Sequence, residues 1–417
     1  MKTFNSCEAQ ITNRFYSLSM YKKIYLKKGK EESLQRFHPW VFSGAIAKIE
    51  SGVEEGDIVQ VFTHEKEFVA VGHYQIGSIA VRVLSFDDII IDESFWEKRL
   101  QVALDVRKAI GVVGHNSSSG FLNTTYRLVH GEGDNLPGLV VDVYDKTCVV
   151  QAHSVGMHVN RYDISNAIVK VFGEQIDSIY YKSDTTLPFN ACLGQENGFL
   201  YGKTDNNVAI ENGLKFRIDW LKGQKTGFFI DQRENRSLLE TYSKGRSVLN
   251  MFCYTGGFSV YAMRGGAKLV HSVDSSAKAV ELTDENVSLN FPGDNRHLAF
   301  CDDAFKYLDE NEGKYDLIIL DPPAFAKHRS ALRNGLRGYT RLNEKGFEKI
   351  KSGGIIFTFS CSQVVSKDQF RQAVFTAAAH AGRKVRILHQ LHQPADHPIN
   401  MYHLEGEYLK GLVLYVE

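Results

Sequence analysis

Apolar runs of strand length alternate with amphipathic segments through the C-terminal half of the chain. Between the runs, apolar residues recur at the three-to-four spacing of a helix. The runs are Ser247–Phe252, Leu269–Val273, His297–Cys301, Leu317–Leu320, Ile355–Ser360, Val385–His389 and Leu409–Val416. Strands that alternate with helices form a largely parallel sheet covered on both faces. The pattern therefore predicts a doubly wound α/β domain over 212–417, with its ligand at the carboxyl ends of the strands.

The start of the chain has a different pattern, in which short apolar runs follow one another without helical segments. The clearest runs are Lys23–Leu26, Ile58–Phe62 and Ile79–Leu84, with turns such as Glu55–Asp57 between them. This spacing predicts a small β-barrel over 21–95. Five lysines cluster at its start, and they have two interpretations, a solvated face or an edge that contacts phosphates. They are Lys22, Lys23, Lys27, Lys28 and Lys30.

A compact α+β unit is predicted over 96–211. A helical pattern begins near Leu100, and a second helix is expected over Arg161–Phe172. Leu139–Tyr144 and Thr147–Ala152 have the alternation of two strands joined by a two-residue turn. With 417 residues the chain is too long for one ordinary core, which agrees with several domains.

The composition of the chain limits the classes of protein to which it can belong. No apolar stretch reaches the ~18 residues that a membrane helix needs. Residues 1–20 are interpreted as an N-terminal extension, and they lack the apolar core of a secretory signal, so a cytoplasmic protein without membrane contact is expected. The 49 basic and 49 acidic residues balance, so any nucleic-acid binding must rely on local patches. The six cysteines show no metal-ligand spacing, so no metal site is expected.

Three of the predicted strands end in residues that together suit a nucleoside-bearing ligand. The first leads into Phe252–Ser259, whose glycines let the backbone approach a ligand and whose helix start favours a carboxylate. The second ends at Asp274, which suits two ribose hydroxyls, and the third at Asp303, which can accept from an adenine amino group. Either acid alone could be a helix N-cap. The turn lacks the GxGxxG pattern of nicotinamide enzymes.

Two further strands end in reactive side chains. Leu317–Leu320 is followed by Asp321 and two prolines, and Ile355–Ser360 is followed by Cys361. A lone cysteine at a strand end is more often a packed core thiol. Opposite an Asp-Pro-Pro loop, however, Cys361 becomes a candidate nucleophile with Asp321 as its neighbour.

Four motifs of the chain occur together in one known family. They are Gln224–Arg233, Leu249–Ser259, Leu320–Pro323 and Ser360–Ser362. In this combination the chain resembles the class I S-adenosylmethionine-dependent methyltransferases of large-subunit ribosomal RNA, most closely the branch that makes 5-methylcytosine. His38–Gly44 is similar to the PUA domain of that family, an RNA-binding β-barrel, and Leu136–Asp142 is similar to its middle domain. The resemblance covers nearly the whole chain from Tyr21.

The resemblance implies a fold, a cofactor and a site. The fold is a Rossmann-like seven-stranded methyltransferase domain after a PUA-like barrel and an α+β unit. S-adenosylmethionine is the implied cofactor, ribosomal RNA is the implied partner, and the family also suggests a homodimer. The implied cofactor-binding residues are Phe252, Tyr254, Thr255 and Gly256 at the methionine part, Asp274 with Ser275 at the ribose, and Asp303 with Ala304 at the adenine. Asp321 would face the target base, and Cys361 would be the nucleophile.

Cytosine C5 is a poor nucleophile, and a thiolate that adds to C6 makes it carbanion-like. Such a thiolate requires a low-pKa or base-activated cysteine, and Asp321 could bond the base near N3 and N4. Two alternatives stay open. In methylation of an exocyclic amine, an aromatic residue usually follows Asp-Pro-Pro directly, whereas here Ala324 precedes Phe325. The other is a non-catalytic RNA-binding assembly factor with a vestigial methyltransferase fold.

Overall fold

The computed structural model of the protein describes residues 21–115, 120–188, 193 and 197–417. Contacts divide the chain into two compact units. The N-terminal unit contains the described residues from 21 to 207 together with 219–227 and 396–406, and the C-terminal unit contains 208–218, 228–395 and 407–417. The finer division into domains at 21–95, 96–211 and 212–417 stays a prediction.

The first part of the N-terminal unit is a six-stranded mixed sheet. Its elements are β1 (Lys22–Leu26), α1 (Glu32–Gln35), β2 (Trp40–Phe42), β3 (Ile46–Ile49), β4 (Ile58–Phe62), β5 (Phe68–Tyr74) and β6 (Ile79–Ser85). The strand order is β2-β6-β5-β4-β1-β3. Alternate residues point into a common core that includes Ile24, Val59, Val61 and Val81. The three strands predicted here are confirmed to within one residue.

A five-stranded sheet with helices forms the rest of the N-terminal unit. Its elements are α2 (Glu93–Ala109), β7 (Gly114–His115), β8 (Leu122–Asn123), β9 (Thr125–His130), β10 (Leu139–Tyr144), β11 (Thr147–Ala152), α3 (Val155–Val159), α4 (Arg161–Phe172), β12 (Ser178–Tyr181) and β13 (Gly198–Tyr201). The order of the large sheet is β13-β12-β11-β10-β9, and β7 pairs with β8. The predicted hairpin of β10 and β11 is confirmed, and so is the helix over Arg161–Phe172.

The predicted loop before the last domain, Leu221–Arg233, is divided between the two units. Its first part packs on the five-stranded sheet, where the Thr226 hydroxyl donates to Asp142 Oδ2 at 2.6 Å and lies 2.9 Å from the Tyr144 hydroxyl. Thr226 is fully buried there. Its second part, from Phe228, belongs to the C-terminal unit.

The C-terminal unit is a seven-stranded sheet with helices between its strands. Its elements are β14 (Val208–Glu211), β15 (Leu214–Arg217), α5 (Arg233–Tyr242), β16 (Ser247–Met251), α6 (Gly257–Arg264), β17 (Leu269–Asp274), α7 (Ala277–Asn290), β18 (His297–Cys301), α8 (Ala304–Glu310), β19 (Leu317–Leu320), α9 (Leu332–Lys349), β20 (Gly354–Ser360), α10 (Lys367–His380), β21 (Val385–Leu391) and β22 (Lys410–Val416). The order is β18-β17-β16-β19-β20-β22-β21. The strands are parallel except β22, which is antiparallel to both neighbours.

This sheet confirms the predicted Rossmann-like fold, and all seven predicted strands are present. Phe252, predicted as the last residue of the first strand, lies outside it because its backbone adopts the left-handed conformation, with φ of 59°. None of the helices in the described ranges combines the length and the apolar character needed to cross a lipid bilayer.

Strand register brings the predicted site residues to one edge of the sheet. Met251 at the end of β16 lies opposite Val273 of β17 and Leu320 of β19. Asp274 lies opposite Cys301 of β18. Because parallel strands point the same way, the carboxyl ends of five strands meet at this edge, at the crevice where doubly wound sheets bind ligands.

Candidate active site

The turn after β16 is unusually tight. Phe252, Tyr254 and Gly256 all have positive φ, at 59°, 47° and 74°. The Cys253 N–H donates to Val273 O at 3.1 Å, and the Gly256 N–H donates to Cys253 O at 2.8 Å. Non-glycine residues in this conformation are strained, and such strain is concentrated where a turn must present its backbone to a ligand.

Helix α7 holds this turn from the side. The Thr283 hydroxyl donates to Tyr254 O, and Asn286 Nδ2 donates to Thr255 O, both at 2.9 Å. A Cβ atom added at Gly256 would lie 2.6 Å from Thr283 Cγ2. The position therefore requires glycine for two reasons, its conformation and the close approach of α7.

We expect Gly256→Ala to destabilise the fold and to weaken binding of the cofactor expected at this turn. The left-handed conformation costs an L-residue about 1–2 kcal/mol, and forcing the methyl group against Thr283 adds about 1–3 kcal/mol. Denaturant unfolding and calorimetric titration with the cofactor measure the two effects. Gly293→Ala is the matched control, because Gly293 has φ of 77° but no atom within 4 Å of its added Cβ. Equal losses in both variants would show that the contact with Thr283 is irrelevant.

Asp274 is fixed at the end of β17 by backbone donors. Its Oδ2 accepts from the Tyr254 N–H at 3.1 Å, and its Oδ1 accepts from the Ser276 N–H at 3.0 Å. Each carboxylate oxygen keeps acceptor capacity for a further donor. Ser275 follows in the same exposed turn. This carboxylate thus stands beside the tight turn with room to accept from two hydroxyls.

Asp303 is the N-cap of α8, the structural role that the sequence left open for it. One oxygen, Oδ1, accepts from the Phe305 and Lys306 N–H groups at 2.9 and 3.0 Å. The other oxygen, Oδ2, has no hydrogen-bond partner within the described part of the chain. Asp303 is exposed, and Ala304 begins the helix behind it. Capping by one oxygen leaves the other free to accept from a ligand.

Asp321 follows β19, and its pKa is affected by the charge of a second carboxylate, Asp231. Gln232 Nε2 donates to Asp321 Oδ2 at 3.0 Å, and Gln232 is itself held by Asn235. Burial, and next the charge of Asp231, raise the pKa of Asp321 to about 7, while Gln232 and Arg236 oppose this shift. At neutral pH this carboxyl can therefore both donate and accept a proton.

Asp231 adds an unused acceptor to this part of the site. Its Oδ2 accepts from the Tyr408 hydroxyl at 2.7 Å. Its Oδ1 is buried and has no hydrogen-bond partner within the residues that the structure describes. A buried carboxylate oxygen without a protein donor is costly, so this oxygen can accept a hydrogen bond from water or from a ligand at this position. Sequence reasoning missed Asp231 and Gln232 as site residues, although both lie in the Gln224–Arg233 motif.

Cys361 follows β20 and is half-buried. Because β22 is antiparallel to β20, Lys410 lies directly opposite Ser360. Lys410 is only 5% exposed, and its Nζ donates to Ser362 O at 2.7 Å and to Val365 O at 2.8 Å. Burial lowers the pKa of Lys410 to about 8, against the attraction of Cys361 and Glu407. The buried Lys410 ammonium is thus bonded to the loop that follows Cys361, and the charge of Cys361 acts on it. The only sequence signal for it is a lysine at the start of an apolar strand.

Ser362 links the loop after β20 to the loop after β19. Its hydroxyl lies 2.8 Å from the Tyr339 hydroxyl and accepts from the Ala326 N–H at 3.3 Å. Tyr339 and Ser362 are both buried. The loops that carry Cys361 and Asp321 are therefore fixed to each other, and every predicted site residue lies at the same edge of the sheet.

Comparison with known proteins identifies the family. Residues 196–400 match a family model described as S-adenosylmethionine-dependent methyltransferase, and residues 24–86 match a PUA-like domain. The chain is 39% identical over 403 residues to ribosomal RNA large subunit methyltransferase I of Aeromonas hydrophila, which covers 95% of this chain and 99% of the relative. The protein of the same name from Tolumonas auensis is 40% identical over 399 residues, 94% of this chain and 98% of the relative.

A solved structure has the same fold. A candidate SAM-dependent methyltransferase from Streptococcus mutans superposes with a TM-score of 0.79 at 24% identity, over 94% of this chain and all of that chain. The cofactor is S-adenosylmethionine. The site fits this cofactor, because three suitable features lie at successive strand ends. They are the strained turn after β16, the fixed Asp274 carboxylate, and the Asp303 carboxylate, which uses one oxygen as an N-cap. These findings confirm the predicted fold and cofactor, and the chain belongs to the ribosomal RNA large subunit methyltransferase I family of S-adenosylmethionine-dependent enzymes.

Proposed function

We propose that this chain methylates C5 of a cytosine in large-subunit ribosomal RNA, with Cys361 as the covalent nucleophile. The names of its relatives support the RNA, and the half-buried Cys361 thiol, whose charge acts on the buried Lys410, supports the chemistry. That pairing of thiol and cation is the observation that carries the proposal. With this substrate the chain would act in the cytoplasm. A homodimer is a further proposal from family resemblance, which light scattering of the purified chain tests.

The cofactor would lie across three strand ends. The proposed contacts are Phe252, Tyr254, Thr255 and Gly256 with the methionine part, Asp274 and Ser275 with the ribose, and Asp303 and Ala304 with the adenine. When bound, S-adenosylmethionine supplies an electrophilic methyl group on a sulfonium. The Asp274 carboxylate accepts from the ribose hydroxyls, and its two backbone donors keep it in place while it does so.

Lys410 prepares the thiol for attack. An ammonium group next to a cysteine stabilises the thiolate, which is the nucleophilic form. The bonds from Nζ to Ser362 O and Val365 O hold both the cation and the loop that bears Cys361. Cys361 Sγ forms a bond to C6 of cytosine, which makes C5 nucleophilic towards the methyl group. C5 then takes the methyl group as the bond between that methyl and the sulfonium breaks. After a base removes the C5 proton, the Sγ–C6 bond breaks and the thiolate is restored.

Asp321 and Asp231 recognise the base. Attack at C6 places negative charge on N3, and a neutral Asp321 carboxyl can donate its proton there. Its pKa of about 7 keeps that form populated at neutral pH. The buried Oδ1 of Asp231 can accept from the N4 amino group. Uracil carries a donor at N3 and an acceptor at position 4, so it would leave both carboxyl groups mismatched.

Mass spectrometry of ribosomal RNA nucleosides tests the proposal. Cells that lack the gene should lose 5-methylcytidine at one position of the large-subunit RNA, and the wild-type gene should restore it. Loss of an amino-methylated nucleoside instead would replace the proposal with methylation of an exocyclic amine. Unchanged nucleosides, together with failure of the purified chain to bind S-adenosylmethionine, would favour the assembly factor.

A further inference from the structure

Four arginines form a regular row at and beside the start of helix α9 (Leu332–Lys349). They are Arg329, Arg333, Arg337 and Arg341. All four are exposed. Arg329 lies in the short 3-10 turn before the helix. On the helix, Arg333, Arg337 and Arg341 are four residues apart, about 6 Å along its axis, and each is turned by about 40° from the one before it. We call this set the arginine row.

The arginine row lacks the carboxylate partners that other arginines of the C-terminal unit have. Arg236 pairs with Glu211 at 2.7 Å, and Arg264 pairs with Glu240 at 2.7 Å. Within the described part of the chain, no guanidinium of the row makes an ion pair or a hydrogen bond. Arg341 only lies over the Phe305 ring, 4.8 Å from its centroid. The positive charge of the row is therefore available to bind a partner outside the chain.

The second half of α9 has the opposite arrangement. Lys345 pairs with Asp309 at 2.9 Å and with Glu348 at 3.4 Å. Lys349 pairs with Glu312 at 2.9 Å. The second half of α9 therefore has neutralised cations, whereas its first half has unpaired arginines. The half with the unpaired arginines is the one nearer the site.

A groove of about 470 Å³ lies beside the row, between α9 and α10 (Lys367–His380). Leu336 and Ala373 contribute apolar surface, and Gln369, Gln372 and Thr376 contribute hydrogen-bonding groups. Its acidic residue, Glu344, is held by His380 at 3.3 Å. The groove thus offers polar partners and packing surface next to uncompensated positive charge.

The row starts at the catalytic edge of the sheet. Arg329 is eight residues after Asp321, in the loop that leads from β19 to α9. The same loop is tied to the Cys361 loop by the bond between Ala326 and Ser362. A strand that lay along the row would therefore approach the loop that holds the proposed base-binding carboxyl.

We infer that the arginine row and its groove bind the phosphate backbone of the RNA strand that carries the target base. This inference rests on the proposed RNA substrate. The spacing of the arginines is comparable to that of successive phosphates along one strand, and guanidinium groups bind phosphate oxygens in a bidentate manner. The carboxylates of an acidic protein partner have no regular spacing that this repeat of cations would match. The glutamine and threonine side chains of the groove can bond sugars or bases of the same strand.

The test compares two doubly substituted full-length chains for binding to deproteinised large-subunit ribosomal RNA across a salt series. One is Arg333→Gln with Arg337→Gln, which keeps helix-forming side chains. The control is Lys384→Gln with Arg386→Gln, which removes the same formal charge from exposed positions before and on β21, where Arg386 pairs with Glu417 at 2.5 Å. We expect the first to weaken affinity at least about tenfold at ~0.1 M salt and to lower the salt slope by about 1.4, since each lost phosphate contact contributes about 0.7. The control should change affinity less than about twofold.

Two further measurements keep the result unambiguous. The variant should bind S-adenosylmethionine like the wild type. Arg333→Lys with Arg337→Lys should recover the wild-type salt slope, because lysine still neutralises phosphate, and only part of the affinity, because it lacks the bidentate guanidinium. Unchanged RNA affinity and slope would overturn the inference, and so would a variant impaired only in binding a ribosomal protein. If the wild type binds this RNA but never methylates it, the proposed function fails, while the binding comparison still decides the inference.

Discussion

Cys361→Ala is expected to abolish methylation of cytosine and to leave binding of S-adenosylmethionine unchanged. The substitution removes the atom that would attack C6, and loss of a covalent nucleophile typically lowers the rate by on the order of 10⁴- to 10⁶-fold. The side chain is half-buried at the end of β20, so the fold should tolerate its truncation. Tritium transfer from the cofactor to RNA measures the activity, and calorimetry measures the binding.

Cys301→Ala is the matched control for this prediction. Cys301 is also a free thiol at the end of a strand of the same sheet, but it ends β18 and is exposed. It should retain activity. A complementary measurement uses RNA that contains 5-fluorocytidine, because the fluorine at C5 cannot be removed as a proton and the adduct persists. A covalent RNA–protein complex should form with the wild type and with Cys301→Ala but not with Cys361→Ala. Turnover by Cys361→Ala would refute the covalent mechanism.

The sheet of the C-terminal unit could be predicted from sequence because each strand is a short apolar run bounded by polar turns. The ends of β18 and β19 agree to the residue with the pattern. The exception at Phe252 has a local cause, since a left-handed backbone conformation leaves no trace in hydrophobicity. Turns that strain the backbone for a ligand are where local patterns are expected to fail.

The partners of the catalytic candidates could not be predicted, because they are distant in sequence. Lys410 faces the Cys361 loop only through the antiparallel pairing of β22 with β20, and about fifty residues separate the two. Asp231 affects the pKa of Asp321 across a gap of about ninety residues, through the segment before α5. The spacing of apolar residues predicts which residues end a strand. It does not show which residues from distant parts of the chain act electrostatically on them.

Asp303 shows the limit of reading a role from one acidic residue. The sequence allowed an N-cap or a ligand contact, and the structure contains the N-cap. The two roles use different oxygens, so the cap does not remove the ligand contact. A carboxylate at the start of a helix can serve both purposes, and only the hydrogen-bond partners of each oxygen separate them.

Asp321→Asn is expected to lower kcat/KM by about 10²–10⁴-fold at pH 7, as for loss of a general acid. Asparagine can donate to N3 but has no proton to transfer. The pKa of Asp321 is raised to about 7, so the wild-type carboxyl is neutral below that pH and loses its proton above it. The wild-type kcat/KM should therefore decline as the pH rises through about 7, and this decline should be absent from the variant.

The variant also separates catalysis from stability. A carboxyl whose pKa is raised by folding contributes most stability below its unfolded pKa, and this contribution is lost as the pH rises through the folded pKa of about 7. Asparagine does not titrate, so Asp321→Asn should become more stable relative to the wild type between about pH 4 and 7. A decline in kcat/KM near pH 7 that persisted in Asp321→Asn would assign that titration to another group. Unfolding at pH 5 and pH 8 supplies the check, because a variant that is more stable at pH 8 and yet inactive has lost a proton donor and not its fold.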